Sequence, residues 1–142
     1  MNFYKMVELL QNKEQGYIIL INNGNFYIAR GRDAILLNKI LDLKLSCAEK
    51  EVCKVGFPLT ALEKYKKLIK RERYSYIIYN FDRTKFKIEK IEKYDGPLKN
   101  NIKENKKDCY ICKSVLGGYT QKENKYLKAV EELYMREKNE GK

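Results

Sequence analysis

Histidine and tryptophan are absent, and the 142 residues hold only two prolines and four cysteines. Without histidine the chain lacks the commonest general base at neutral pH and the commonest non-thiolate zinc ligand, which counts against many hydrolase and nuclease chemistries. Negative charge is also scarce. Lys and Arg number 30 against 19 Asp and Glu, a net charge of +11, so attraction to polyanions is expected whatever the fold, nucleic acid being the commonest of them. No apolar run approaches the roughly 20 residues of a membrane span. Met1 to Glu8 puts an acid where a secretory leader would carry its apolar stretch, so the expected compartment is cytoplasmic and the thiols are expected to be reduced or metal-bound.

Hydrophobic residues make up 44% of the chain and include twelve Tyr, too many for intrinsic disorder. Divided at Gly96, the first part carries 19 basic and 12 acidic residues and the second 11 and 7, so the folded part is itself basic.

Residues 3 to 12 have helical spacing, and Tyr17-Ile18-Ile19-Leu20-Ile21 is a continuous β-branched run of the kind buried in a sheet centre. Asn22-Asn23-Gly24-Asn25 supplies a hairpin turn, and Phe26 to Ala29 returns antiparallel. Asp33 is expected to cap a helix ending near Asp42. Residues 43 to 47 and 53 to 57 alternate as two strands, with Cys47 and Cys53 on their apolar sides. Thr60 and Glu63 have the spacing of a capping box opening a helix, with Leu62, Tyr65, Leu68 and Ile69 as its buried stripe. Residues 74 to 80 and 85 to 91 read as further strands. Gly96-Pro97 and the polar run after it read as a linker. It leads to a Cys109-x-x-Cys112 turn and a final helix over about 122 to 137, with Tyr126, Val130, Leu133 and Tyr134 on one side. Residues from about 97 onward are expected to form a docking arm that orders fully on a partner.

Three words in this order carry a resemblance. Gly24-Asn25-Phe26-Tyr27 with Gly31-Arg32-Asp33-Ala34, then Gly56-Phe57-Pro58-Leu59-Thr60-Ala61-Leu62-Glu63-Lys64-Tyr65, then Arg73-Tyr74-Ser75-Tyr76-Ile77-Ile78 together resemble the mismatch-recognition domain, domain I, of the MutS family. The resemblance implies an α+β domain over residues 1–95, a mixed sheet flanked by helices; residues 96–142, beyond its reach, read as linker, Cys turn and C-terminal helix. In that family the Phe of the first word stacks on an unpaired base and a Glu two residues later hydrogen-bonds it. Phe26 matches the Phe, whereas Ile28 stands at the Glu position, so one half of the family's mismatch reader is missing. No Gly-x-x-x-x-Gly-Lys-Ser/Thr loop is present, so the family's motor chemistry is not expected. Free-standing MutS-like proteins of this size resemble accessory factors of the reverse transcriptases of diversity-generating retroelements. What this implies is a non-catalytic binder of RNA or DNA, partnered by the reverse transcriptase and its small helical-bundle accessory protein.

Candidate nucleic-acid contacts are therefore Phe26, Tyr27, Arg30, Arg32, Lys64, Lys66, Lys67, Lys70, Arg71 and Arg73. The aromatics offer stacking and the cations phosphate contact. The bland alternatives are a hairpin aromatic packed in the core and a solvated charged helix face. No cofactor is expected, although Cys109 and Cys112 could hold half of a zinc site. Two rivals remain open: a metal-dependent nuclease using Asp33, Glu63 and Asp82, and a protein-binding adaptor using the last helix.

Overall fold

The computed structural model describes residues 3–49, 52–102 and 123–140. It comprises α1 (Phe3–Lys13), β1 (Ile18–Asn23), β2 (Phe26–Arg30), α2 (Arg32–Leu41), β3 (Ser46–Glu49), β4 (Val52–Pro58), a 3₁₀ turn (Leu59–Ala61), α3 (Leu62–Arg71), β5 (Tyr76–Asp82), β6 (Lys87–Tyr94) and α4 (Glu123–Glu140). The strands form one sheet in the order β3-β4-β2-β1-β5-β6. β1 and β5 run parallel, and the other neighbouring pairs are antiparallel. This is the α+β mixed sheet expected from the sequence. Among the described residues no helix is long and apolar enough to cross a membrane.

Strand alternation sorts the core into two halves. Ile19, Ile21, Ile28, Ile77 and Tyr79 face α1 and α4, while Ile18, Leu20, Ala29, Tyr76 and Ile78 face α2 and α3. The β1 isoleucines and leucine are fully buried, each contributing roughly 1.5 to 3 kcal/mol of transfer free energy. That two-sided burial explains why the sequence shows a continuous apolar run here instead of an alternating one.

The chain does not leave this body at Gly96. The Leu98 amide donates to the Arg73 carbonyl (2.9 Å), the Ser75 amide to the Leu98 carbonyl (3.1 Å), and the Asn100 amide to the Gly16 carbonyl (2.7 Å). A Cβ at position 96 would lie 2.8 Å from the carbonyl oxygens of Arg73 and Tyr74, so glycine lets the return strand approach. The expected apolar stripe of α4 exists, but the domain itself covers it. Ala129, Val130 and Leu133 are buried with Phe3, Met6 and Phe81. Tyr126 packs among Phe3, Phe81 and Phe86, and the Tyr134 hydroxyl donates to the Leu9 carbonyl (3.0 Å). Glu137 ties the same helix to Lys13 and Lys90. The final helix is a layer of the core, not a free docking arm.

Two helix caps differ from expectation. Asp33 lies inside α2, whose N-cap is Gly31 with no side-chain cap. Its fully buried carboxylate instead accepts from Gln11 Nε2 (2.8 Å), the Ile19 amide (3.0 Å) and Asn100 Nδ2 (2.7 Å). Burial pushes its pKa up, opposed by neighbouring Arg32 and these donors. Thr60 falls in the 3₁₀ turn, and α3 starts after Ala61 without a side-chain cap. Glu63 turns to Lys66 instead.

Replacing Leu133 with Ala should lower unfolding stability by about 3 kcal/mol in urea denaturation, the usual cost of emptying a buried leucine site. Stability equal to the parent would show that α4 does not close the core. The Asp33→Asn variant, which turns one acceptor oxygen into a donor facing other donors, should cost about 2 to 3 kcal/mol. A neutral result would show that the carboxylate does not organise its neighbours.

Candidate nucleic-acid interface

Phe26 opens β2 directly after the Gly24 turn, where the glycine φ of 64° is a conformation that side chains disfavour. Alternation puts Phe26, Ile28 and Arg30 on the α1 side of the sheet and Tyr27 on the other. Ile28 is buried, but Phe26 lies beyond the cover of α1 and stays 51% exposed. Beside it is a groove of 440 Å³ lined by Tyr4, Asn23, Ile28, Lys44, Ser46, Lys54 and Gly56 among others. Gly56 pairs with Ile28 across the ladder and, having no side chain, leaves the groove floor open. The Lys54 ammonium donates to the Tyr4 hydroxyl (3.1 Å) and sits 5.5 Å from that ring's centroid. An amide-to-carbonyl bond from Leu59 to Asn25 (3.0 Å) pins this end of the hairpin.

The groove therefore combines an exposed aromatic face, an apolar floor and two ammonium groups, with no carboxylate among its lining residues. Such a set can stack a base and hold a phosphate. It cannot accept a hydrogen bond from a base edge at position 28.

The other predicted contacts divide four ways. Arg30 is buried, with Nη1 donating to Gln11 Oε1 (2.8 Å) and Nη2 lying 3.8 Å from Glu8. Arg32 donates to Gln15 Oε1 (2.7 Å) and to the Gln11 carbonyl (2.9 Å) at the end of α1. Both are internal ties, so their reading as phosphate contacts is corrected: the sequence shows their charge but not the helix end that uses it. Tyr27 points into the α3 layer beside Phe57, and Phe57 stacks on Tyr65 at 4.4 Å. Burial raises the Tyr27 pKa, opposed by Lys66. It does not share a face with Phe26. Lys66 is held between Glu92 (2.7 Å) and Glu63 (3.0 Å). The Glu92 bond leads in raising the Lys66 pKa, and the same bond, with one from Tyr76, lowers that of Glu92. Lys66 is thereby a structural cation.

Lys64, Lys67, Lys70, Arg71 and Arg73 are exposed on or just after α3. Lys70 lies over the rings of Tyr76 and Tyr94. This surface is on the opposite side of the sheet from Phe26, so the predicted set does not form one site. Tyr4, Lys44, Ser46 and Lys54, which line the groove with Phe26, are not in the predicted set. The available signal was alternation: with Cys53 buried, Lys54 and Gly56 must face the other way.

Of the three carboxylates considered for metal binding, Asp33 serves the buried network above and Glu63 pairs with Lys66. Asp82 accepts from the Thr84 and Lys85 amides in the β5–β6 turn. Cys53 is buried as expected, whereas Cys109 and Cys112 lie outside the described residues.

A family model for MutS domain I matches residues 1–95, the stretch from α1 to the end of β6. No curated protein matches the chain.

Because Phe26 has half its surface in water, Phe26→Ala should change unfolding stability by less than about 1 kcal/mol, whereas Phe57→Ala should cost about 3 to 5 kcal/mol. Comparable losses in thermal or urea melts would place Phe26 in the core.

Proposed function

The chain belongs to the MutS domain I family, and from that premise we propose that it is a non-catalytic nucleic-acid-binding protein that takes an unpaired nucleotide into the Phe26 groove. The observation that carries this reading is Phe26 itself, a large aromatic 51% exposed at a fixed hairpin end beside an open groove. Stacking on one base is worth roughly 1 to 3 kcal/mol. Lys44 and Lys54 on the groove wall supply the charge complement for the adjoining phosphate, in a chain whose net charge of +11 favours polyanions throughout. Ile28 offers an apolar surface where the family's carboxylate would stand, so binding depends on a base being free to stack and not on its hydrogen-bonding edge.

In the finer reading the bound strand is the templating RNA or cDNA of a retroelement, and the protein serves its reverse transcriptase alongside a helical-bundle accessory protein. This part rests on analogy with free-standing MutS-like accessory factors. Its check is co-purification from cells expressing the four components, in which retention of the reverse transcriptase and its RNA is expected and recovery of neither would reject the role.

Titrations of labelled oligonucleotides across a salt series with Mg²⁺ present should show affinity falling steeply with salt and no strand cleavage. Phe26→Ala should weaken binding to a duplex with one unpaired nucleotide by about 1 to 3 kcal/mol. Matched and base-mismatched duplexes should bind within a few-fold of each other. A hundredfold mismatch preference, about 2.7 kcal/mol, would show that another group has replaced the carboxylate, and an unaffected Phe26→Ala variant would reject the groove.

A further inference from the structure

The exposed cations are distributed unequally between the two sides of the sheet. On the side of α1 and α4, away from the groove, several cations meet acids: Lys13 binds Glu137 (2.5 Å), Lys90 lies near Glu137 (3.2 Å) and Glu14 (3.9 Å), and Lys93 near Glu14 (3.6 Å). On the other side Lys64, Lys67, Lys70 and Arg73 have no ion-pair partner among the described residues. Among the described residues Arg71 meets only Glu72, at 3.4 Å and in solvent, where an ion pair holds little. Residues 59–75 contain six basic and two acidic side chains. Glu63, one of the two, is spent on Lys66. Lys64, Lys67 and Arg71 follow one another at three- and four-residue steps, forming a stripe along α3 about 10 Å long at 1.5 Å per residue. Apart from Lys44 and Lys54 in the groove, a cluster of uncompensated positive charge therefore lies on the face turned away from Phe26, with the sheet and the α3 layer between the two.

We propose that one molecule holds two nucleic-acid segments at once, an unpaired nucleotide in the Phe26 groove and the phosphate backbone of a second segment along α3, and that it thereby brings strands together. The groove half rests on the function proposed above; the α3 half rests on charge and position alone. Backbone contact by a lysine and arginine stripe carries no sequence information, so the second segment is any strand or duplex with a regular phosphate array. Two surfaces on opposite sides let a single chain bridge segments that neither surface could join alone.

The test uses the full chain and two unrelated duplexes, a donor-labelled one with a single unpaired nucleotide and a fully paired, acceptor-labelled one. Energy transfer between them should rise as protein is added and fall again in protein excess, when each duplex has its own molecule. Sedimentation under the same conditions should show one chain per complex. The triple variant Lys64→Ala, Lys67→Ala, Arg71→Ala should reduce transfer at least tenfold while its affinity for the first duplex changes less than threefold. Since all three side chains are exposed, its unfolding midpoint should match the parent. Binding of the first duplex without transfer, transfer that survives in the triple variant, or transfer only from a dimer would each overturn the two-segment proposal and leave the groove reading standing. Loss of all binding in the triple variant, with Phe26→Ala unaffected, would overturn both.

Discussion

The period of two along β2 is the constraint on which the rest depends. Neighbouring residues of a strand must face opposite sides of the sheet, and β2 lies between β4 and β1 with helices on both sides. Phe26 and Tyr27, adjacent in sequence, are thereby sent to different layers. Tyr27 finds Phe57 under α3. Phe26 finds only the open end of the α1 layer. The same alternation on β4 brings Lys54 and Gly56 round to Phe26 and makes a groove from residues that share no motif.

A second organising feature is the use of charge inside the molecule. Asp33 gathers Gln11 from α1, the Ile19 amide from β1 and Asn100 from the returning chain, and Arg30 and Arg32 bind the end of α1 beside it. A carboxylate removed from water needs several donors to be tolerated, and this one has them from three separate segments. These groups hold α1 in register with the hairpin and so fix where its cover stops short of Phe26. Residues that in the sequence have the look of ligands are consumed in positioning the site.

The strands, helices and hairpin were legible because their signals are local: the β-branched run of β1, the Asn-Gly turn, the helical stripe of α3. The caps were not. Asp33 and Thr60 have the right residue types for N-caps, but tertiary partners claimed Asp33 and a 3₁₀ turn displaced Thr60. The stripe of α4 was legible as a stripe, yet its cover on Phe3 and Met6 joins residues more than a hundred positions apart. Lys66 and Lys67 differ in nothing a sequence displays, and only the fold puts one against Glu92 and leaves the other in water. Among the candidate site residues, Phe26 was legible through the resemblance, while Tyr4, Lys44 and Lys54 required the ladder register.

Where a nucleic acid first touches the protein is read directly by backbone amide NMR during titration with an oligonucleotide carrying one unpaired nucleotide. Below one equivalent, binding in the groove should concentrate shifts at residues 25–28 and 54–57 and around Tyr4 and Lys44, with α4 unmoved. Shifts confined to α3, with those of β2 unchanged, would contradict it.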